Sequence, residues 1–250
     1  MQVIVDGLPT HYELGGKGKT VVFLHGWGDR AAGSAQLRAE LARQYTVVAP
    51  DLPGFGGTAA PPKVWNNTDY AEFVAALLRK IGQTQVYALI GHSNGGAIAV
   101  RGLGRHILTA EKVVLVASAG IRGEYKGRTR ALRYLAKTGK VLAAPLPASV
   151  KQRLRRKVYQ TIGSDMLVAE QLQETFKKVV TDDVRADAAR VDIPALLLYG
   201  EDDPQTPVRY GELFHEYLRD STLEIFPAAG HFVHLDRPQE VLRAIEEFLQ

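Results

Sequence analysis

The chain has 250 residues, 46% of them hydrophobic and 23% charged, with a net charge of +4 and no cysteine. These values fit a single globular catalytic domain and exclude a disordered chain, a disulfide framework, a thiolate nucleophile and a cysteine-ligated zinc site. The opening Met1-Gln2-Val3-Ile4-Val5-Asp6-Gly7 lacks a basic leader followed by a long apolar run. No apolar stretch of about 18 residues occurs anywhere, so the expectation is a cytoplasmic protein with no stable membrane association.

Short runs rich in Val, Leu and Ile alternate with stretches of helical period, the pattern of β-α units feeding a mostly parallel sheet. Val3 to Val5 and His11 to Leu14, separated by Gly7-Leu8-Pro9, read as an opening hairpin. Thr20 to Leu24 follows as a buried central strand and ends in His25-Gly26-Trp27-Gly28. Further strands are expected at Thr46 to Ala49, Gln85 to Ile90, Lys112 to Ala117, Ala195 to Tyr199 and Thr222 to Phe226, about eight in all. Helices are expected near 34–44, 69–81, 94–105, 208–218 and 238–249.

Between Ala119 and Ile193 this alternation stops, and apolar residues fall three or four apart, as in Leu172, Phe176, Val179 and Val180. The expected organisation is a core of residues 1–119 and 194–250 with a helical lid inserted at 120–193. Met166, Leu172 and Phe176 are the lid residues expected to line a substrate pocket.

Gly91-His92-Ser93-Asn94-Gly95-Gly96 follows one predicted strand and precedes a helix of small residues. A nucleophilic serine needs that context, because a sharp strand-to-helix turn lifts its oxygen above the sheet and glycines must stand two positions away. The bland alternative is a turn that merely joins strand to helix. The backbone N–H groups of Trp27 and Asn94 are the candidate oxyanion-hole donors, while the side chain of His25 reads as structural.

Gly200-Glu201-Asp202-Asp203-Pro204 closes a predicted strand, and the spacing from Gly200 favours Asp203 as the acid, with Asp202 the alternative. Gly230-His231-Phe232-Val233-His234 follows the last strand; His231 is the candidate base and His234 the weaker one. His231 and His234 lack a third ligand at credible spacing, so no metal is expected.

Together with Asp51-Leu52-Pro53-Gly54-Phe55-Gly56, these residues resemble the α/β-hydrolase superfamily over essentially the whole chain. The order serine, acid, histidine also matches that superfamily. Within it, His25-Gly26-Trp27-Gly28 and the elbow around Ser93 are similar to capped bacterial serine carboxylesterases and their relatives, the cofactor-free perhydrolases and the carbon-carbon bond hydrolases.

The resemblance implies acyl transfer through an acyl-enzyme on a small-molecule ester, with no cofactor. It leaves open a diketone-type carbon-carbon hydrolase with the same triad, and a catalytically silent receptor or scaffold.

From Arg122 to Lys157 there are twelve Lys or Arg residues against the single acid Glu124, so the remainder of the chain is net acidic. This basic run reads either as an attractor of anionic substrates or acidic lipid, or as the solvated outer face of lid helices. Its two aromatic residues, Tyr125 and Tyr134, do not make the repeated interleaving of a nucleic-acid stacking surface, and nucleic-acid binding is not expected.

Overall fold

A computed structural model describes residues 1–122 and 172–250. Eight strands form one sheet: β1 (Gln2–Val5), β2 (Leu8–Gly15), β3 (Thr20–Leu24), β4 (Thr46–Pro50), β5 (Val86–His92), β6 (Lys112–Val116), β7 (Ala195–Gly200) and β8 (Ser221–Phe226), in the order β1-β2-β4-β3-β5-β6-β7-β8. Pairings β1·β2 and β2·β4 are antiparallel and the other five are parallel. The expected mostly parallel sheet of about eight strands is what the chain forms, and the fold is α/β.

The helices among the described residues are α1 (Ala35–Leu41), α2 (Asn67–Lys80), α3 (Asn94–Gly104), α4 (Gln173–Thr181), α5 (Arg185–Ala188), α6 (Val208–Tyr217), α7 (Val233–Asp236) and α8 (Pro238–Leu249). A 3-10 turn, Ala31–Ser34, precedes α1. None of them is long and apolar enough to cross a membrane.

The continuous apolar runs are explained by burial on both faces of the sheet. Successive side chains alternate, so in β3 Val22 and Leu24 join one core with Tyr70, Phe73 and Leu77 of α2, Ile98 of α3 and Phe214 of α6. Val21 and Phe23 join the other core with Leu37 and Leu41 of α1 and Val241, Ile245 and Leu249 of α8.

Of the boundaries that differ from those read in the sequence, three have a clear physical cause or consequence. Leu8 and Pro9 open β2 instead of separating two strands, because Asp6 and Gly7, both at positive φ, complete the turn. The region read as one helix over 34–44 is the 3-10 turn followed by the shorter α1. Helix α2 begins at Asn67, not 69, because Asn66 caps the N–H groups of Thr68 and Asp69 while the Asp69 side chain caps the Asn66 N–H.

Within the described part of 120–193, α4 and α5 are helices. Met166 and most of the basic run lie outside the described residues.

Candidate active site

The chain visits β4 on one side of β3 and then crosses to β5 on the other, so β3 and β5 lie side by side with their carboxyl ends adjacent. That reversal of direction opens a crevice at the sheet edge, the usual place for a ligand in an open parallel sheet. Trp27 follows β3, Ser93 follows β5, Asp203 follows β7 and His231 follows β8.

Ser93 has φ 51° and ψ −117°, a conformation that a non-glycine residue holds only at a cost of about 1–3 kcal/mol. The turn is enforced by close approach on both sides. A Cβ on Gly91 would lie 2.5 Å from the Gly96 backbone, and one on Gly95 would strike the Leu24 carbonyl oxygen of β3. The Ser93 N–H donates to the Val116 carbonyl at 3.0 Å, and the Ser93 carbonyl accepts from Gly96 and Ala119, both at 3.0 Å.

His231 Nε2 lies 2.9 Å from Ser93 Oγ, and its Nδ1 lies 2.8 Å from Asp203 Oδ2. Asp203 Oδ1 accepts from the N–H groups of Gln205 at 2.7 Å and Thr206 at 3.1 Å. The Thr206 hydroxyl sits 2.6 Å from Asp203 Oδ2 and 2.9 Å from the Ala117 carbonyl, so its single proton serves one of these two oxygens at a time, and it lies 3.1 Å from His231 Nδ1.

Burial alone would raise the Asp203 carboxyl. The hydrogen bond and charge of His231, with the Thr206 hydroxyl and N–H, outweigh it and hold the group below the ordinary carboxylate value. An ionised Asp203 therefore fixes the proton of His231 on Nδ1 and leaves Nε2 as the acceptor facing Ser93. Asp202 is exposed and donates its N–H to the Ala229 carbonyl.

Two further histidines surround this chain of contacts. His92 Nε2 donates to the His231 carbonyl at 3.0 Å; burial first, then the neighbouring His234 and His231, push its pKa well below the ordinary value. His25 Nδ1 donates to the Gly26 carbonyl at 2.7 Å, and its Nε2 accepts the Leu52 N–H at 2.9 Å, so the ring ties the β3 loop to the loop after β4. Burial keeps it neutral, with a lowered pKa.

A cleft of about 230 Å³ opens over the serine, lined by Gly26, Trp27, Gly28, Asp29, His92, Ser93, His231 and Phe232. No hydrogen bond among the described residues uses the backbone N–H of Trp27 or of Asn94. Leu172 and Phe176 do not line this cleft. Phe176 stands behind Trp27, ring centroids 5.1 Å apart, and Leu172 is buried over Gly54.

Sequence reasoning missed Thr206, His92, Asp29 and Phe232 as parts of the site. Each lies within or beside a motif already noted, but only the fold shows what it faces. Among the described residues no group of His, Asp and Glu could hold a metal ion.

Residues 21–244 match the model of the alpha/beta hydrolase family. The pimeloyl-[acyl-carrier protein] methyl ester esterase of Chromobacterium violaceum is 29% identical, over 94% of this chain and 96% of its own length. The 2-hydroxy-6-oxo-6-(2'-aminophenyl)hexa-2,4-dienoic acid hydrolase of Metapseudomonas resinovorans is 27% identical, over 99% of this chain and 89% of its own. The crystal structure of a bacterial membrane phospholipase A superposes with a TM-score of 0.79 at 26% identity, covering 100% of this chain and 84% of the other.

Proposed function

The chain belongs to the alpha/beta hydrolase family, and from that premise we propose that it is a serine hydrolase that cleaves carboxylic esters of small to medium size through an acyl-enzyme. The observation that carries this reading is the continuous hydrogen-bonded line from Ser93 Oγ through His231 to an ionised Asp203.

In this mechanism Ser93 Oγ attacks the ester carbonyl as His231 Nε2 takes its proton. The oxyanion is received by the unused N–H groups of Trp27 and Asn94, which cost no reorganisation when charge develops. His231 returns the proton to the leaving alkoxide, leaving the acyl group on Ser93. It then deprotonates a water that attacks the acyl carbonyl, and the acid departs with Ser93 restored. Asp203 and Thr206 orient the imidazole, and His92 holds it from the side by its carbonyl.

The methyl ester esterase relative supports the ester reading over nearly its full length. The dienoic acid hydrolase relative supports the second reading, cleavage of a carbon-carbon bond in a diketone-type substrate by the same three residues. The segment 120–193 is read as a cap, with Phe176 backing Trp27 and Leu172 packed over Gly54, together extending the acyl-binding wall beyond the cleft.

A panel of p-nitrophenyl esters of rising chain length, run beside a 2-hydroxy-6-oxo-dienoate, tests the assignment. Turnover of the esters with little of the dienoate supports it, whereas efficient cleavage of the dienoate alone favours the second reading.

A further inference from the structure

Asp29 lines the cleft that also holds Ser93 and His231. Its N–H closes a turn onto the Gly26 carbonyl at 3.3 Å, which fixes the residue just past the expected oxyanion loop. The carboxylate occupies space that only the absent side chain of Gly33 leaves open. Among the described residues no cation or hydrogen-bond donor partners it.

The other acids near the cleft are answered: Asp203 by His231 and Thr206, and Asp51 by His11 and the N–H groups of Ala31 and Gly57. Arg38, the nearest buried cation in sequence, is committed to Glu13 and the Ala31 carbonyl. The charge of Asp29 is felt at both His25 and His234, on two sides of the site.

We propose that Asp29 is the specificity-determining residue of this site, selecting neutral or cationic esters and rejecting those with a negative charge beside the scissile bond. This rests on the ester-hydrolase reading above. A compact space of about 230 Å³ is roughly 8 Å across, within one Debye length, so a charged substrate group cannot enter without feeling the charge of Asp29. A unit charge at about that separation, in a surface-type dielectric, alters kcat/KM by roughly ten- to thirtyfold.

The test uses three phenyl acetates that share one acyl group and differ in charge at the para position: 4-carboxylate, 4-methoxycarbonyl and 4-trimethylammonio. The wild type should favour the neutral and cationic esters over the anion, and the preference should shrink as salt is raised. Asp29→Asn should raise the anionic-to-neutral ratio of kcat/KM by about tenfold or more and reduce its salt dependence. If Asp29→Asn fails to fold by melting profile, Asp29→Ser, which fits the same space over Gly33, is read instead.

An unchanged ratio in a folded variant that still hydrolyses the neutral ester overturns the proposal and leaves the ester reading standing. No turnover of any of the three by the wild type overturns both.

Discussion

His234 should make the fold sensitive to mild acid. It is buried, its Nδ1 has no hydrogen-bond partner among the described residues, and its ring packs at 4.9 Å from His92 and 6.4 Å from Phe23. Burial chiefly, with a smaller push from His231, lowers its pKa from 6.5 to about 4, although Asp29 and Asp236 pull the other way.

As pH falls through 6.5 the unfolded chain takes up a proton at this residue, but the folded chain does not until near pH 4. The unfolded state therefore binds more protons in that window, and stability falls with pH. The full gap is worth roughly 3 kcal/mol, of which about 2 kcal/mol is already lost at pH 5. For a chain of this size that is roughly 4–8 °C in melting temperature.

The perturbation is His234→Leu, which keeps an apolar side chain of similar volume against Phe23. Urea unfolding of both proteins at pH 8, 6 and 5 is the assay. His25 also has a lowered pKa but is unaffected by His234 and cancels, while His92, held down first by its own burial, loses only the secondary push of His234, so the difference reports chiefly His234. Between pH 8 and pH 5 the wild type should lose about 2 kcal/mol more than the variant. Parallel profiles would refute the argument, since they would mean that His234 takes up protons equally in both states.

Asp203→Asn should lower kcat by about 10³- to 10⁴-fold with the fold intact, because the amide no longer sets the histidine tautomer, whereas Asp202→Asn should change it little. Reversal of the two effects in ester kinetics would move the acid to Asp202. Phe176→Ala, which removes the ring behind Trp27, should shift the octanoate-to-acetate ratio of kcat/KM while acetate turnover survives. If Leu172 only packs on the body over Gly54, Leu172→Ala should instead cost about 2–5 kcal/mol of stability with the ratio unmoved, read by melting temperature beside kinetics.

The strands were legible because burial on two faces writes them as unbroken apolar runs, as Thr20–Leu24 shows. Their ends were less so. The Asn66–Asp69 capping box was present in the sequence as a start signal for α2, but the apolar period begins later and drew the boundary to 69. Helix α7, Val233–Asp236, is a single turn and too short to show a period.

Ser93, His231 and Asp203 each stand at a strand end within a recognisable local motif, so they could be named before their distances were known. His92 could not, since its hydrogen bond reaches a carbonyl 139 residues away. Asp29 likewise reads as a loop acid until the fold sets it in the cleft with His231.

The central claim is that Ser93 Oγ, activated through His231, is the nucleophile. Reaction of the protein with a fluorophosphonate, digestion and mass spectrometry of the peptide spanning Gly91 to Gly96 tests it most directly. The expected result is one phosphonyl adduct per chain, located on Ser93, formed by the wild type and absent from a folded Ser93→Ala. An adduct on another residue, or equal labelling and retained ester turnover in Ser93→Ala, would contradict it.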